Sequence, residues 1–204
     1  MTLSKKNTAL RMTQLAILTA IVVLLQCFGG LLRLPFMGTA GNLVLIPIAI
    51  GAILLGPAAG TWLGFLCGAV IYLFGVTGAD PFTHILFEAH PLITALICLV
   101  KTSLAGFLAA LLYRAVAKHN EYLALLLTAI LVPIVNTGVF VLGCFTILDT
   151  LSQNFVGDGE SVIAFIFLGL AGVNFLFELG LNLVLTPAIE RIISVVRKMT
   201  ARKG

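Results

Sequence analysis

Long apolar runs, separated by short clusters of polar and charged residues, organise the whole chain. The first run extends from about residue 9 to Phe28, behind Lys5, Lys6 and Arg11. A Gly-rich connector, Gly29 to Gly41, holds Arg33 and Pro35. The next run, Asn42 to Leu73, is interrupted at Gly56-Pro57, where proline removes a backbone donor and clashes with the preceding turn. This break predicts a tight turn joining two short spans, 42–55 and 57–76, rather than one kinked helix. A polar stretch from Thr77 to His90 then leads into three further runs, 91–116, 122–148 and 161–189. Crossing a hydrocarbon layer of about 30 Å takes about 20 helical residues. The expected fold is therefore all-α, an integral membrane bundle of six transmembrane helices forming one domain over residues 1–204.

Composition narrows the function classes. Of the 204 residues, 60% are hydrophobic and 10% charged, where a soluble domain has about 45–50% apolar and about 25% charged. Soluble enzymes, secreted disulfide scaffolds and nucleic-acid binders are excluded. The basic residues act as topology signals. With six spans and both termini cytoplasmic, the inner segments collect ten of the twelve Lys and Arg, from Lys5, Lys6 and Arg11 through Arg114 and Lys118 to Arg191, Arg197, Lys198, Arg202 and Lys203. The outer segments hold Asp80, Glu88, Asp149, Asp158 and Glu160 with Arg33 as the base. Five crossings would put the basic carboxyl terminus outside, against the positive-inside rule. A multi-pass protein of the cell membrane is expected, with the first run a retained span rather than a cleaved signal. Cys27, Cys67, Cys98 and Cys144 lie in or beside apolar runs without metal-like spacing and read as small packing residues.

Polar residues inside the spans carry the chemical information. Gly56, Gly60, Gly64 and Gly68 recur every fourth residue, which suits close helix packing in lipid. Lys101 and Glu178 each cost about 2.5–3.5 kcal/mol in hydrocarbon on insertion scales, so each needs a cavity, a partner or a ligand. They could neutralise each other, but their positions along the spans differ by roughly 10 Å in depth. The alternatives are that Lys101 lines an outward cavity or snorkels. Asn174, Glu178 and Asn182 form an i, i+4, i+8 stripe that must face the bundle. Asn136 and Thr137 follow Pro133 at about the depth of Lys101. Each amide has an interhelical bond as its ordinary explanation; their convergence favours a ligand. His84, Glu88 and His90 are too poorly aligned for three metal ligands and read instead as part of an outer loop that closes over a ligand. No phosphate-loop, H-E-x-x-H or G-x-S-x-G signature occurs, so neither ATP hydrolysis nor the commonest hydrolytic chemistries reside here.

These residues resemble a known family. Ala16 and Ala20 in the first run, the junction "IGAILLGPAAG" (Ile50 to Gly60), "VNTGVFVLG" (Val135 to Gly143) and "VNFLFELGLNLVLTPAIE" (Val173 to Glu190) are similar to the substrate-binding S components of energy-coupling factor vitamin transporters, most of all to the pantothenate branch. Where relatives often carry Pro-Arg early in the fourth span, this chain has Pro91-Leu92, with Lys101 the base of that span. The resemblance implies a non-enzymatic subunit that binds a vitamin from outside and needs no cofactor or metal. A separate transmembrane coupling protein and two cytoplasmic ATPases would drive the toppling that delivers the solute. Ala16 and Ala20 would dock on the coupling protein. Within that frame Lys101 pairs with a carboxylate, while Asn136, Thr137 and Asn174 bind amide and hydroxyl groups. Asn42 and the outer loops supply a lid, with His84 and Glu88 as further candidates. Riboflavin, folate or a thiamine precursor are alternatives, although Phe82 and Phe87 are the few aromatics expected near the site, which disfavours a stacked flat ring. An intramembrane enzyme using Glu178 or the histidines, and a stand-alone channel or exchanger gated by Lys101 and Glu178, are the other classes.

Overall fold

The computed structural model describes residues 2–31, 41–157 and 159–201, and every regular element among them is helical. Arg33, Pro35, Asp158, Arg202 and Lys203, which entered the charge and connector readings, lie outside the described residues. Helix α1 (Thr2–Leu31) precedes a 3-10 turn at Gly41–Val44 and helix α2 (Leu45–Leu55). Next come α3 (Pro57–Val76), α4 (Pro81–Ala89), α5 (Pro91–Val116) and α6 (Glu121–Cys144). After α7 (Leu148–Phe155), a single turn α8 (Val162–Ala164) leads through a π-helical stretch, Phe165–Gly172, into α9 (Val173–Ala201).

Local chemistry explains most of these boundaries. Pro57, Pro81 and Pro91 stand at the starts of α3, α4 and α5, where a missing N–H costs nothing. Asn120 Oδ1 accepts from the Leu123 N–H at 2.9 Å and caps α6. Gly56 separates α2 from α3 with φ 102°, as the Gly-Pro break requires.

Three expectations change. Among the described residues five helical segments are long and apolar enough to cross a membrane: Thr8–Gly29, Pro57–Val76, Pro91–Val116, Glu121–Phe155 and Val162–Val196. The expected sixth, 42–55, contains only the 11 residues of α2, which rise about 16 Å, because residues 41–44 wind as a 3-10 turn instead. The stretch 77–90 is not an open loop: it turns through Gly78 and forms α4, started by Asp80 and Pro81. The run expected as one helix over 122–148 is α-helical only to Cys144, and Ile147, at φ −133° and ψ 33°, breaks the path into α7.

The tightest seam lies between α3 and α5. A Cβ on Gly60 would strike the Gly106 carbonyl, one on Gly64 the Thr102 carbonyl, and one on Gly68 the Cys98 carbonyl. Thr102 Oγ1 donates to the Gly64 carbonyl at 2.6 Å and fixes the register. The glycine stripe therefore serves packing within the chain, in a solvent where no hydrophobic effect drives helices together. Gly56 is different: the Arg114 guanidinium occupies the place of its missing Cβ, and Arg11 Nη2 donates to the Leu55 carbonyl at 3.0 Å. Basic side chains from α1 and α5 thus meet at the α2–α3 turn. Helix α2 is buried in the middle, where Ile48 and Ala52 join Leu63, Ala105, Ala109 and Val132 in the main core. Cys67, Cys98 and Cys144 are buried free thiols and Cys27 is exposed.

A Gly64→Ala substitution is expected to destabilise the protein by about 1–3 kcal/mol through overpacking against α5. Gly138→Ala, where nothing lies within 4 Å of the added carbon, should be neutral or slightly stabilising. Thermal unfolding of both variants in detergent checks the contrast; equal midpoints would contradict it.

Candidate functional site

Register at the glycine seam decides which face of α5 looks inward. Thr102 turns toward α3, and Thr94, Ile97, Cys98 and Lys101, spaced i, i+3, i+4, i+7, form a stripe along one side of a cavity of about 180 Å³. Helix α6 contributes Asn136, Thr137 and Phe140, one turn apart, and the final helical segment contributes Leu170, Asn174 and Glu178. Gln26 of α1 and Ile71 and Phe74 of α3 complete the wall. Helix α4 covers it with Phe82, Thr83 and Leu86, beside Asp80. The lining comes from the ends of α1 and α3, the first half of α5, the second half of α6 and the start of the last segment. The cavity therefore occupies one end of the bundle, opposite the Arg11 and Arg114 cluster.

The expected polar residues converge here. Lys101, Asn136, Thr137, Asn174 and Glu178 all line this one hollow. Lys101 Nζ lies over the Phe140 ring, 5.2 Å from its centroid, and among the described residues no carboxylate stands within 4.0 Å of it. A cation–π contact is worth about 0.5–2 kcal/mol and leaves the three ammonium donors without acceptors. The neutralising pair with Glu178 is not formed. Glu178 instead accepts from Asn136 Nδ2, at 3.3 Å to each carboxylate oxygen. Asn174 Nδ2 donates to the Leu170 carbonyl at 2.9 Å, within the π-helical stretch. The stripe continues away from the cavity through buried Asn182 to Thr186, whose hydroxyl donates to the Asn182 carbonyl at 2.7 Å.

Two lining atoms have no partner. Thr94 Oγ1 and Asn136 Oδ1 are buried and make no hydrogen bond. An unmade bond at such a place costs about 1–3 kcal/mol, and Ser103 Oγ and Thr128 Oγ1, outside the lining, are buried without a partner as well.

Other candidates stand apart. His84 and Glu88 sit on α4 outside the cavity lining, with His84 Nε2 3.5 Å from Glu88 Oε1. His84 Nδ1 lies 2.7 Å from the Gly75 carbonyl, which can only accept, so Nδ1 carries the proton. Pro81 starts a helix whose other face, bearing Phe82 and Leu86, is the one that lines the cavity. His90 Nε2 instead lies 3.1 Å from Thr150 Oγ1 and ties the start of α5 to α7. Among the described residues no group of three or more His, Cys, Asp or Glu could hold a metal. The Asn42 side chain lies outside the described residues. Ala16 and Ala20 are exposed on α1, on a face shared with Met12, Leu24 and Phe28.

The aromatic surroundings also differ from expectation. Phe87 packs edge-on against Tyr72 at 5.7 Å, away from the cavity, whereas Phe74 and Phe140 join Phe82 in lining it. Phe82 contacts Phe140 at 6.2 Å and Phe155 of α7 at 5.0 Å, so aromatic rings close the covered end. Sequence reasoning missed Thr94, although it shares the stripe of Lys101, and missed Gln26 and Asp80, which only the chain's path brings to the same end.

Asn136→Ala removes the donor that Glu178 uses. The variant should lose about 1–3 kcal/mol of stability, read as a lower thermal midpoint in detergent; an unchanged midpoint would contradict the buried contact.

The family model for the ECF transporter, substrate-specific component, matches residues 10–190. No curated protein is similar enough to the chain to match it. Because the matched region runs from within α1 to within α9 and takes in every cavity-lining residue, the chain belongs to the family of substrate-specific components of ECF transporters.

Proposed function

We propose that this chain is a high-affinity vitamin-binding subunit of an ECF-type importer in the plasma membrane, with pantothenate as its solute. One observation carries the reading: an ammonium without a carboxylate within 4.0 Å, Lys101, shares the lining of a largely apolar cavity with Asn136, Thr137 and Asn174. A carboxylate at Lys101 makes charge-assisted hydrogen bonds, strengthened by the low local dielectric. Asn136, Thr137 and Asn174 face the rest of the solute.

Orientation follows from charge. The end where Arg11 and Arg114 meet the α2–α3 turn belongs in the cytoplasm by the positive-inside rule, and the cavity then opens toward the outer face. Both termini are cytoplasmic in this arrangement, with α2 counted as the sixth crossing. The exposed Ala16 and Ala20 give α1 a flat strip, suited to docking on a transmembrane coupling protein driven by two ATPases.

Calorimetric titration of the purified protein with pantothenate should show saturable binding, weakened about 10- to 100-fold by Lys101→Met, the loss of one charge-assisted contact. Unchanged affinity in the variant would remove Lys101 from the site. Replacing Ala16 and Ala20 together by Leu should leave that affinity intact and abolish pantothenate uptake in cells that supply the coupling module. Uptake at the original rate would place the docking surface elsewhere.

A further inference from the structure

The cavity carries charge of both signs. Lys101 faces it from α5, while Glu178 and Asp80 line it from the last helix and the α3–α4 turn. An anion is accommodated only at the Lys101 pole, and the remainder of the solute meets acceptors. Asn136 shows how this second pole is built. Its Nδ2 donates to both Glu178 oxygens, so its Oδ1, buried in the wall of the cavity, is left with no partner. Turning the amide over would set Oδ1 against the carboxylate, an acceptor against acceptors once Glu178 is ionised. Glu178 thereby dictates that Asn136 presents a carbonyl and not an amine.

Thr94 supplies a second, independent sign. In Thr13, Thr61, Thr102 and Thr186 the hydroxyl returns to the carbonyl four residues earlier, the usual resting place for a hydroxyl in an apolar helix. The Thr94 hydroxyl makes no such bond, as the buried Thr128 hydroxyl also does not, but of these two residues only Thr94, 1% exposed, belongs to the cavity lining. Asn136 is 6% exposed, so neither atom has bulk water as a substitute partner.

We propose that the cavity selects hydroxy acids: a carboxylate is held at Lys101, and a hydroxyl of the solute donates to Asn136 Oδ1, with Thr94 as a further hydroxyl-bearing residue of the lining and Glu178 as the positioning residue that fixes the Asn136 amide. This rests on the binding-subunit reading above and adds the discrimination it does not contain. A site built around a hydrogen bond rejects an analogue lacking that group, because its own buried polar atoms are then left unpaired. Replacing Glu178 by Gln supplies both a donor and an acceptor, so either orientation of the Asn136 amide is satisfied and discrimination falls.

The test uses two probes, pantothenate and N-(3,3-dimethylbutanoyl)-β-alanine, which keeps the carboxylate and amide and lacks both hydroxyls. Each is titrated by calorimetry into the wild-type chain and into Glu178→Gln, Thr94→Val and Lys101→Met. Wild type should bind pantothenate at least about tenfold more tightly than the dehydroxy probe. Glu178→Gln and Thr94→Val should each shrink that ratio toward one, by weakening pantothenate alone, whereas Lys101→Met weakens both probes alike. Thr94→Val is nearly isosteric and carries the test if Glu178→Gln does not fold. Equal binding of the two probes by wild type overturns the hydroxy-acid inference and leaves the anion reading standing. Binding of neither overturns the pantothenate reading and this inference with it. A ratio unmoved in Glu178→Gln and Thr94→Val overturns the roles given to those residues.

Discussion

Hydrocarbon offers no hydrogen bonds, and every polar side chain placed in it must find a partner inside the protein. That constraint explains where Lys101, Asn136, Asn174 and Glu178 are. Each belongs to a helix whose other faces carry Leu, Ile, Val and Phe to the lipid, and each turns toward the same end of the bundle. Glu178 and Asn174 find protein partners in Asn136 and the Leu170 carbonyl. Lys101, Thr94 Oγ1 and Asn136 Oδ1 do not find sufficient ones. Polar groups satisfied only in part, around a hollow and in its wall, are what the proposed solute site rests on.

The glycine seam makes that arrangement possible. In lipid two helices approach closely only where small residues remove the side-chain layer, and α3 and α5 do so at Gly60, Gly64 and Gly68. The Thr102 hydroxyl bonding to the Gly64 carbonyl sets the rotation of α5, and Lys101, one residue earlier, is turned into the cavity. Packing and recognition are therefore linked along one helix. Helix α4 completes the structure from above: Phe82 bridges Phe140 to Phe155, and the contact between His90 and Thr150 holds the start of α5 to α7.

Much of this was legible in the residues, for reasons that differ by feature. The all-helical membrane character follows from apolar length, and the break at Gly56-Pro57 from backbone chemistry. The meeting of Lys101, Asn136 and Asn174 was legible because ionisable and amide groups are expensive in lipid, and helix depth can be counted at a fixed rise per residue. Lys101 and Glu178, expected about 10 Å apart in depth, line one cavity without forming an ion pair. Helix α4 was hidden because its nine residues mix polar and apolar positions over little more than two turns. The roles of Gln26 and Asp80 depend on which helix ends meet, information that no local pattern contains. Threonine was overlooked at position 94 because in a helix it normally satisfies itself, and only the structure reveals the two that do not, Thr94 and Thr128.

The claim at the centre is that the polar lining exists to hold a small acid. Native mass spectrometry of the chain, purified gently from membranes of cells grown in rich medium, addresses it without assuming which acid. The account predicts one bound species per chain with the mass of a small carboxylic acid, absent from the Lys101→Met protein. A chain carrying only lipid, or a neutral solute retained equally by both proteins, would contradict it.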